Sequence, residues 1–348
     1  MRPLVAIDAD ALGRQRTGNE TYVRELLREL AGRAEDLRIA AITRHPELVP
    51  EGIDPVELPA RHQLLRAGLR LPPLLRRLRP QVAHFQHAIP PACPCPAVVT
   101  VHDLAFEDEP HWMGLRDRLV FRAFVLRAAR RAARVITGSE STRRDLLSRG
   151  IPAERITVVP NGVGAPFGPD GPRVNGQPYA LVVGSLEPRK DPITAIEGLA
   201  LLDSDELRLV FAGPDKGEGS AARAAAQRCR VDGRVEFKGH VSSEDLAALY
   251  RGAECLVFPS RHEGFGLPVL EAMACGTPVV TTSVGALPEV AGDAAILVEP
   301  GNPVELAGGI ERALADRERL VGAGLERARQ FTWAETARRT LNVYRELL

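Results

Sequence analysis

Short apolar runs of strand length alternate with stretches of helical periodicity along this chain, and the alternation occurs twice. In the front half LVAID (4–8), IAAIT (39–43), VAHFQ (82–86), AVVTVHD (97–103), VITGS (135–139) and ITVVPNGV (156–163) read as strands separated by helical segments. Strands and helices that alternate in this way are βαβ units, which implies a parallel sheet. A second series begins at YALVVGS (179–185) and continues through LRLVFAG (207–213), VEFKGH (235–240), CLVFPS (255–260), PVVTT (278–282) and AAILVEP (294–300), with helices expected at 192–202, 220–230, 243–253 and 303–314. The expected fold is therefore α/β, with two Rossmann-like, doubly wound parallel-sheet domains. The Pro/Gly-rich passage GAPFGPDGPRVNGQP (164–178) is the best linker. It sets expected domains at 1–163 and 164–330. The last segment, 331–348, has Trp333, Ala337, Leu341 and Tyr344 on one helical face. It follows a completed second sheet, so it is expected to pack back on the first domain.

At 348 residues and 37.7 kDa the chain exceeds one ordinary core, in agreement with two domains. Its 45% hydrophobic and 26% charged content is that of a soluble globular protein, and no segment has the ~18 uninterrupted apolar residues of a spanning helix. The apolar run near the N-terminus is too short for a secretory signal, and a cytoplasmic location is expected. Five scattered cysteines, at 93, 95, 229, 255 and 275, fit reduced thiols better than a disulfide framework. Cys93-Pro94-Cys95 lacks a second Cys or His pair at ligand spacing, so a structural metal is not expected.

The formal net charge of zero hides an asymmetry. Residues 1–160 carry 25 Arg and no Lys against 19 acidic residues, a balance of +6, and the remainder carries −6. The basic excess gathers in 61–79 and 116–134, where Arg is mixed with Leu, Val and Phe at helical spacing. Such faces are either solvated or suited to peripheral contact with an anionic membrane, such as the inner face of the cell membrane. Nucleic acid is not an expected partner, since no aromatic platform or binding module accompanies the charge.

The stretch PSRHEGFGLPVLEAMACGTPVVTT (259–282) is the richest in chemistry. Pro268 suits the first turn of a helix and Gly276 the position after its end, which predicts a helix over Pro268–Cys275. Its N-terminus opens on Gly264-Phe265-Gly266, where free N–H groups and the positive end of the helix dipole suit a phosphate. Glu263 precedes the loop, and Glu271 is expected in the first helical turn. From the residues alone Glu271 is explained equally well by the dipole or by a ligand. Ligands of open parallel sheets sit at the carboxyl ends of the strands. Gly18, at the mouth of a helix with a Thr17–Glu20 capping-box spacing, falls at such an end, as do His102-Asp103, Asn161-Gly162 and Ser185 to Lys190.

VVGSLEPRKD (182–191), VFPSRHEGFGLPVLEAMACGTPVV (257–280) and GALPEVAGDAAILVEPGN (285–302) together resemble the family 4 retaining glycosyltransferases. TVHDLAFEDEPHWM (100–113) and RTGNETYVREL (16–26) resemble the N-terminal domain of the mannosyltransferase-like branch. The resemblance implies the GT-B fold, two Rossmann-like domains facing a central cleft. It implies transfer of a hexose from a nucleotide sugar, GDP-mannose first, to a glycan or lipid-linked acceptor with retained anomeric configuration, in cell-surface polysaccharide or glycolipid synthesis. By the same resemblance Glu263 meets the donor sugar, Glu271 the ribose, and the N–H groups of Phe265, Gly266 and Leu267 the sugar and diphosphate oxygens. Lys190 is the diphosphate cation, with Arg189 able to share the task. The chain holds only three lysines, so Lys190 is not its routine choice of cation. Many members carry an Arg where Ser185 stands here, which leaves the second cation open. His102 would lie near the transferred sugar, binding hydroxyls rather than acting as a nucleophile, with Gly18, Asn19 and Asp103 lining an acceptor or phosphate loop.

No cofactor beyond the nucleotide-sugar co-substrate and no metal is expected, since the one strand-end Asp-x-Asp, Asp8-Ala9-Asp10, lies in the front half. Three competing readings are weaker. A sugar-nucleotide epimerase or hydrolase would use the same donor site without an acceptor. A dinucleotide-dependent oxidoreductase would need a Gly-x-Gly-x-x-Gly after the first strand of either half, and neither half has one. A silent sugar-binding module would not need Lys190, Glu263 and Glu271 intact.

Overall fold

The computed structural model describes residues 2–13, 18–59, 65–86, 88–104 and 124–348. These divide into two units, Met1–Asn161 with Trp333–Leu348, and Gly162–Thr332.

The first unit is built on a parallel sheet of order β3-β2-β1-β4-β5-β6-β7. Its strands are β1 (Leu4–Asp8), β2 (Arg38–Thr43), β3 (Asp54–Glu57), β4 (Val82–Gln86), β5 (Ala97–Val101), β6 (Arg134–Thr137) and β7 (Ile156–Val158). β4 and β5 are buried almost end to end, as central strands covered by helices on both faces must be. β3, with sequence DPVE, has no strand signature, and its place at the sheet edge explains why Pro and two acids are tolerated there. Among the helices are α1 (Gly18–Ala31), α2 (Leu71–Leu78) and α3 (Glu140–Ser148). Tyr22, Val23, Leu26, Leu27 and Leu30 of α1 are all buried, the face their spacing predicts. Thr17 of the capping-box reading lies outside the described residues, as do 105–113 of the 100–113 stretch and part of each Arg-rich stretch.

The second unit has a parallel sheet of order β10-β9-β8-β11-β12-β13. Its strands are β8 (Tyr179–Val183), β9 (Arg208–Ala212), β10 (Val235–Gly239), β11 (Cys255–Phe258), β12 (Val279–Thr282) and β13 (Ile296–Val298). Helices α4 (Pro192–Ala200), α5 (Gly219–Arg228), α6 (Ser243–Gly252), α7 (Leu267–Ala274), α8 (Leu287–Ala291), α9 (Pro303–Ala315) and α10 (Arg317–Arg329) cover its faces. The apolar pattern of the sequence points to neither α8 nor α10. α8 is only five residues long, and α10, RERLVGAGLERAR, is rich in charge and buries Leu320, Gly324 and Ala328 alone. The passage 164–178 does not behave as a free linker. The buried Arg251 guanidinium donates to the carbonyls of Pro166, Gly168 and Pro172, and Phe167 packs edge-on against Tyr250, so the passage belongs to the second unit.

The terminal helix α11 (Trp333–Arg345) belongs to the first unit, where it packs against α1. A buried column of polar side chains joins it to the sheet. Tyr344 Oη lies 2.6 Å from His84 Nδ1, His84 Nε2 lies 2.7 Å from Thr100 Oγ1, and Tyr22 Oη lies 3.2 Å from the same Thr100 oxygen. Burial pulls His84 down to about 3, so its ring is neutral and one nitrogen donates while the other accepts. Arg345 adds a two-pronged contact with Asp36 at the surface. Replacing Tyr344 with Phe removes one hydroxyl and leaves a buried His84 nitrogen unpaired. The expected loss is about 1–3 kcal/mol, read as a lower urea midpoint, and an unchanged midpoint would show that the hydroxyl does not tie the helix down.

Candidate functional site

In the second unit the carboxyl end of β8 meets that of β11. After β8 the chain turns through Gly184, whose φ of +134° disfavours any side chain. The stem of Lys190 lies directly over it, so that a Cβ there would sit 3.3 Å from Lys190 Cε. A 3₁₀ turn, Pro188–Lys190, carries Arg189 and Lys190, and Asp191 then caps α4 through the Thr194 N–H. Lys190 Nζ reaches Glu263 Oε1 at 2.5 Å and stands 4.8 Å above the Phe258 ring at the end of β11. Glu263 thus supplies an anion to Lys190 from within the protein.

Glu263 is held through its backbone as well. Its carbonyl accepts the Ala286 N–H at 2.9 Å, and a Cβ on Gly285 would come within 2.3 Å of that oxygen. This is the physical content of the GALPEV segment: Gly285 permits the approach and α8 follows at once. Burial works to raise the Glu263 carboxyl, but Lys190 and Arg189 beside it outweigh burial and hold it down to about 2. Lys190 itself is drawn below the usual lysine range, by burial first, with Glu263 opposing that pull and Arg189 adding to it. Arg189 is engaged by its own neighbours, with 3.0 Å contacts to the His262 carbonyl and to Glu187 and a 3.2 Å contact to Glu263. It braces Glu263 rather than presenting a second open cation.

Gly264-Phe265-Gly266 leads into α7, which begins at Leu267, one residue ahead of expectation. Gly266 has φ +95°, and a Cβ there would strike Leu287 of α8 at 2.6 Å, so the loop is confined to glycine by conformation and space together. Phe265 is buried edge-on against Phe331, which leaves backbone as the polar surface of this turn. Glu271 is the fifth residue of α7 and lies beyond its first turn, contrary to expectation, so the dipole does not account for it. Its Oε2 accepts a hydrogen bond from the Tyr250 hydroxyl at 3.0 Å. Burial, with Glu271 reinforcing it, pushes Tyr250 well above the ordinary tyrosine range. Periodicity does not single out Tyr250, an aromatic in an amphipathic helix that looks like core until its hydroxyl partner is seen.

In the first unit His102 follows β5, with Nε2 3.0 Å from Gln86 Oε1 and its ring edge-on to Tyr22 at 4.9 Å. Asp103 follows it. Gly18 and Asn19 open α1, and Glu20 accepts the Gly13 N–H at 3.0 Å. Tyr22, one turn along α1, therefore brings the helix mouth and His102 to the same rim. Asp8 and Asp10 are accounted for separately. Arg66, buried, pairs with Asp8 at 2.6 and 2.9 Å and with Asp10 at 3.3 Å, and Arg44 pairs with Asp10 at 2.8 Å. Arg66 is thus structural, although its place in the Arg-rich stretch 61–79 suggests a solvated basic face.

A family model described as "Glycosyl transferases group 1" matches residues 169–330, and one described as "Glycosyltransferase Family 4" matches 16–165. The chain is 32% identical over 269 residues to the O-antigen chain mannosyltransferase B of Escherichia coli, a match covering 72% of this chain and 70% of the relative. It is 33% identical over 246 residues to the D-inositol 3-phosphate glycosyltransferase of Salinispora tropica, covering 62% of this chain but only 51% of that relative. Among solved structures, sucrose-phosphate synthase from Thermosynechococcus elongatus aligns with TM-score 0.80 at 23% identity, over 100% of this chain and 99% of that one. Anabaena HepE in complex with UDP-glucose aligns with TM-score 0.76 at 18% identity, over 99% of each chain. These two structures share the fold.

The depressed Glu263 carboxyl makes stability depend on acid. Its folded value of about 2 lies below the unfolded 4.5, so its contribution is complete above pH 4.5 and disappears as pH falls towards 2. Glu263→Gln, which has no such proton to bind, should show a shallower fall of the urea midpoint across that window than the unaltered chain. Parallel curves would mean that the pair is not formed in solution.

Proposed function

Since the chain belongs to family 4 of the glycosyltransferases, we propose that it moves a hexose, mannose by preference, from a nucleoside-diphosphate sugar to a glycan or lipid-linked acceptor. The setting is cell-surface polysaccharide or glycolipid synthesis. The observation that carries this reading is the convergence in the second unit of a part-buried lysine, a buried carboxylate and a glycine turn heading a helix. Lys190 and the α7 N-terminus supply positive charge for a diphosphate. In the bond-breaking step charge builds on the leaving nucleoside diphosphate, and a preorganised cation there lowers the barrier. Glu263, ionised throughout the neutral range, accepts hydrogen bonds from sugar hydroxyls. Glu271, aligned by Tyr250, takes the ribose hydroxyls in charge-assisted bonds.

His102, with Asp103, Gly18 and Asn19 on the same rim of the first unit, binds and orients hydroxyls. No residue is assigned as a covalent nucleophile. We assign retention of anomeric configuration, with the leaving phosphate assisting acceptor deprotonation, and no metal. What supports the latter is that Lys190 and backbone N–H groups supply the charge a divalent ion would otherwise bring, while Asp8 and Asp10 are committed to Arg66 and Arg44. The mannose preference rests on the similarity to the mannosyltransferase. Transfer, rather than hydrolysis or epimerisation, predicts donor turnover that depends on added acceptor.

Among the described residues no helix is long and apolar enough to cross a membrane. Peripheral contact with an anionic surface is supported by Leu65 and Leu69, 51% and 69% exposed, beside exposed Arg70, Arg76, Arg77 and Arg79.

Lys190→Ala should lose most of kcat, on the order of 10²-fold or more, and full activity would remove the diphosphate role. Glu271→Ala should raise the donor KM in a chain that still unfolds cooperatively, at a urea midpoint lowered by the Tyr250 hydroxyl left unpaired, and identical kinetics would remove the ribose role. Binding to vesicles containing phosphatidylserine should weaken as salt rises, and salt-independent or absent binding rejects the membrane contact.

A further inference from the structure

At the amino-terminal ends of β5, β6 and β7, on the opposite rim of the first unit's sheet from His102, lies a cavity of about 400 Å³. Cys93 and Cys95 line it, with Arg131, Arg155 and Ile89. None of these residues takes part in the sites described above. The two sulfurs stand 4.0 Å apart, and both thiols are half-buried, reachable from the cavity rather than sealed in the core as Cys255 and Cys275 are. Arg131 is fixed by its bond to the Pro91 carbonyl at 2.8 Å, two residues before Cys93. Arg155 is held by the Arg130 carbonyl at 3.3 Å. Two cations with carbonyl partners therefore border a pair of thiols.

We propose that Cys93 and Cys95 form a covalent modification site for anionic low-molecular-weight disulfides, which Arg131 and Arg155 draw into the cavity. Cys93 is the attacking group. As a thiol it donates to the Cys95 carbonyl at 3.3 Å, and as a thiolate it accepts from the Cys95 S–H. That bond first, and the charge of Arg131 further, bring it down to about 7, while Cys95, whose proton stabilises its neighbour, is pushed up. The division matches what exchange requires, one thiolate at neutral pH and one held thiol.

The Cys93 thiolate attacks one sulfur of the incoming disulfide R–S–S–R. A Cys93–S–S–R bond forms and RS⁻ leaves. The proton of Cys95 passes to solvent, and its thiolate attacks Cys93 Sγ, expelling the second RS⁻ and closing a Cys93–Cys95 disulfide. Two cysteines are oxidised by two electrons and one external disulfide is reduced to two thiolates, so the balance closes. The two sulfurs start 4.0 Å apart, and the closing step brings them to a bond of about 2 Å.

The test is reaction of the full-length folded chain carrying Cys229→Ser, which removes the third half-buried thiol, with 5,5′-dithiobis(2-nitrobenzoate), an aromatic disulfide bearing two carboxylates, at neutral pH. The expected result is a fast phase releasing two equivalents of the coloured thiolate and a product lighter than the reduced chain by two hydrogens. Cys95→Ser should release one equivalent in that phase and keep the adduct, and Cys93→Ser should slow it at least about fivefold. The neutral hydroxyethyl disulfide should gain no such advantage, and Arg155→Gln should narrow the difference between the two reagents. Equal rates for Cys93 and Cys95, two stable adducts in place of ring closure, or equal preference for neutral and anionic reagents, each relative to the unfolded chain, would overturn the proposal. None of these readouts depends on transferase activity, so failure here leaves the assignment of the second unit's site untouched.

Discussion

The contact between Lys190 and Glu263 organises the second unit's candidate site. It is an ion pair between a part-buried lysine in the loop after β8 and a buried carboxylate in the loop after β11, and nearly every other local feature serves to permit it. Gly184 yields space to the lysine stem, Phe258 places a ring beneath the ammonium, Gly285 and Ala286 grip the glutamate backbone, and Arg189 braces the carboxylate. A pair with its carboxylate buried gains little net stability, because desolvation offsets the Coulomb attraction. A site that holds a lysine and a carboxylate preorganised at that cost is better explained as machinery for a charged ligand than as a stabilising device.

The first unit solves a different problem by the same means. Its sheet is completed by α11, which returns from the far end of the chain, and its buried face is joined by a column of neutral polar groups from Tyr344 through His84 and Thr100 to Tyr22. Tyr22 also touches His102. The element that anchors the terminal helix therefore also shapes the rim on which His102 lies. The Arg66 cluster with Asp8 and Asp10 fixes the carboxyl end of β1 through ion pairs.

The fold was largely legible in the sequence. Central strands of a parallel sheet are largely apolar runs; LVAID and VAHFQ are strands at the expected residues, and YALVVGS forms β8 over its first five. Element identity failed where burial was incomplete, at edge strand β3 and at α8 and α10, because period and composition weaken when one face stays wet. It failed differently at 164–178, where Pro and Gly imitate a linker while a distant arginine, Arg251, holds the backbone in place.

The sequence by itself determined two α/β units, the strand-end position of most candidate residues and the chemistry available there, since these follow from local periodicity and residue type. Only the tertiary structure decided which groups share a bond. It set Lys190 against Glu263, turned Arg189 inward, moved Glu271 out of the dipole's reach and gave it Tyr250, buried Arg66 on Asp8, and brought Cys93 and Cys95 to an arginine-lined cavity. Partners across more than seventy positions of chain, such as Lys190 and Glu263, leave no periodic trace, because their pairing is set by the order of strands in a sheet and not by spacing along one of them.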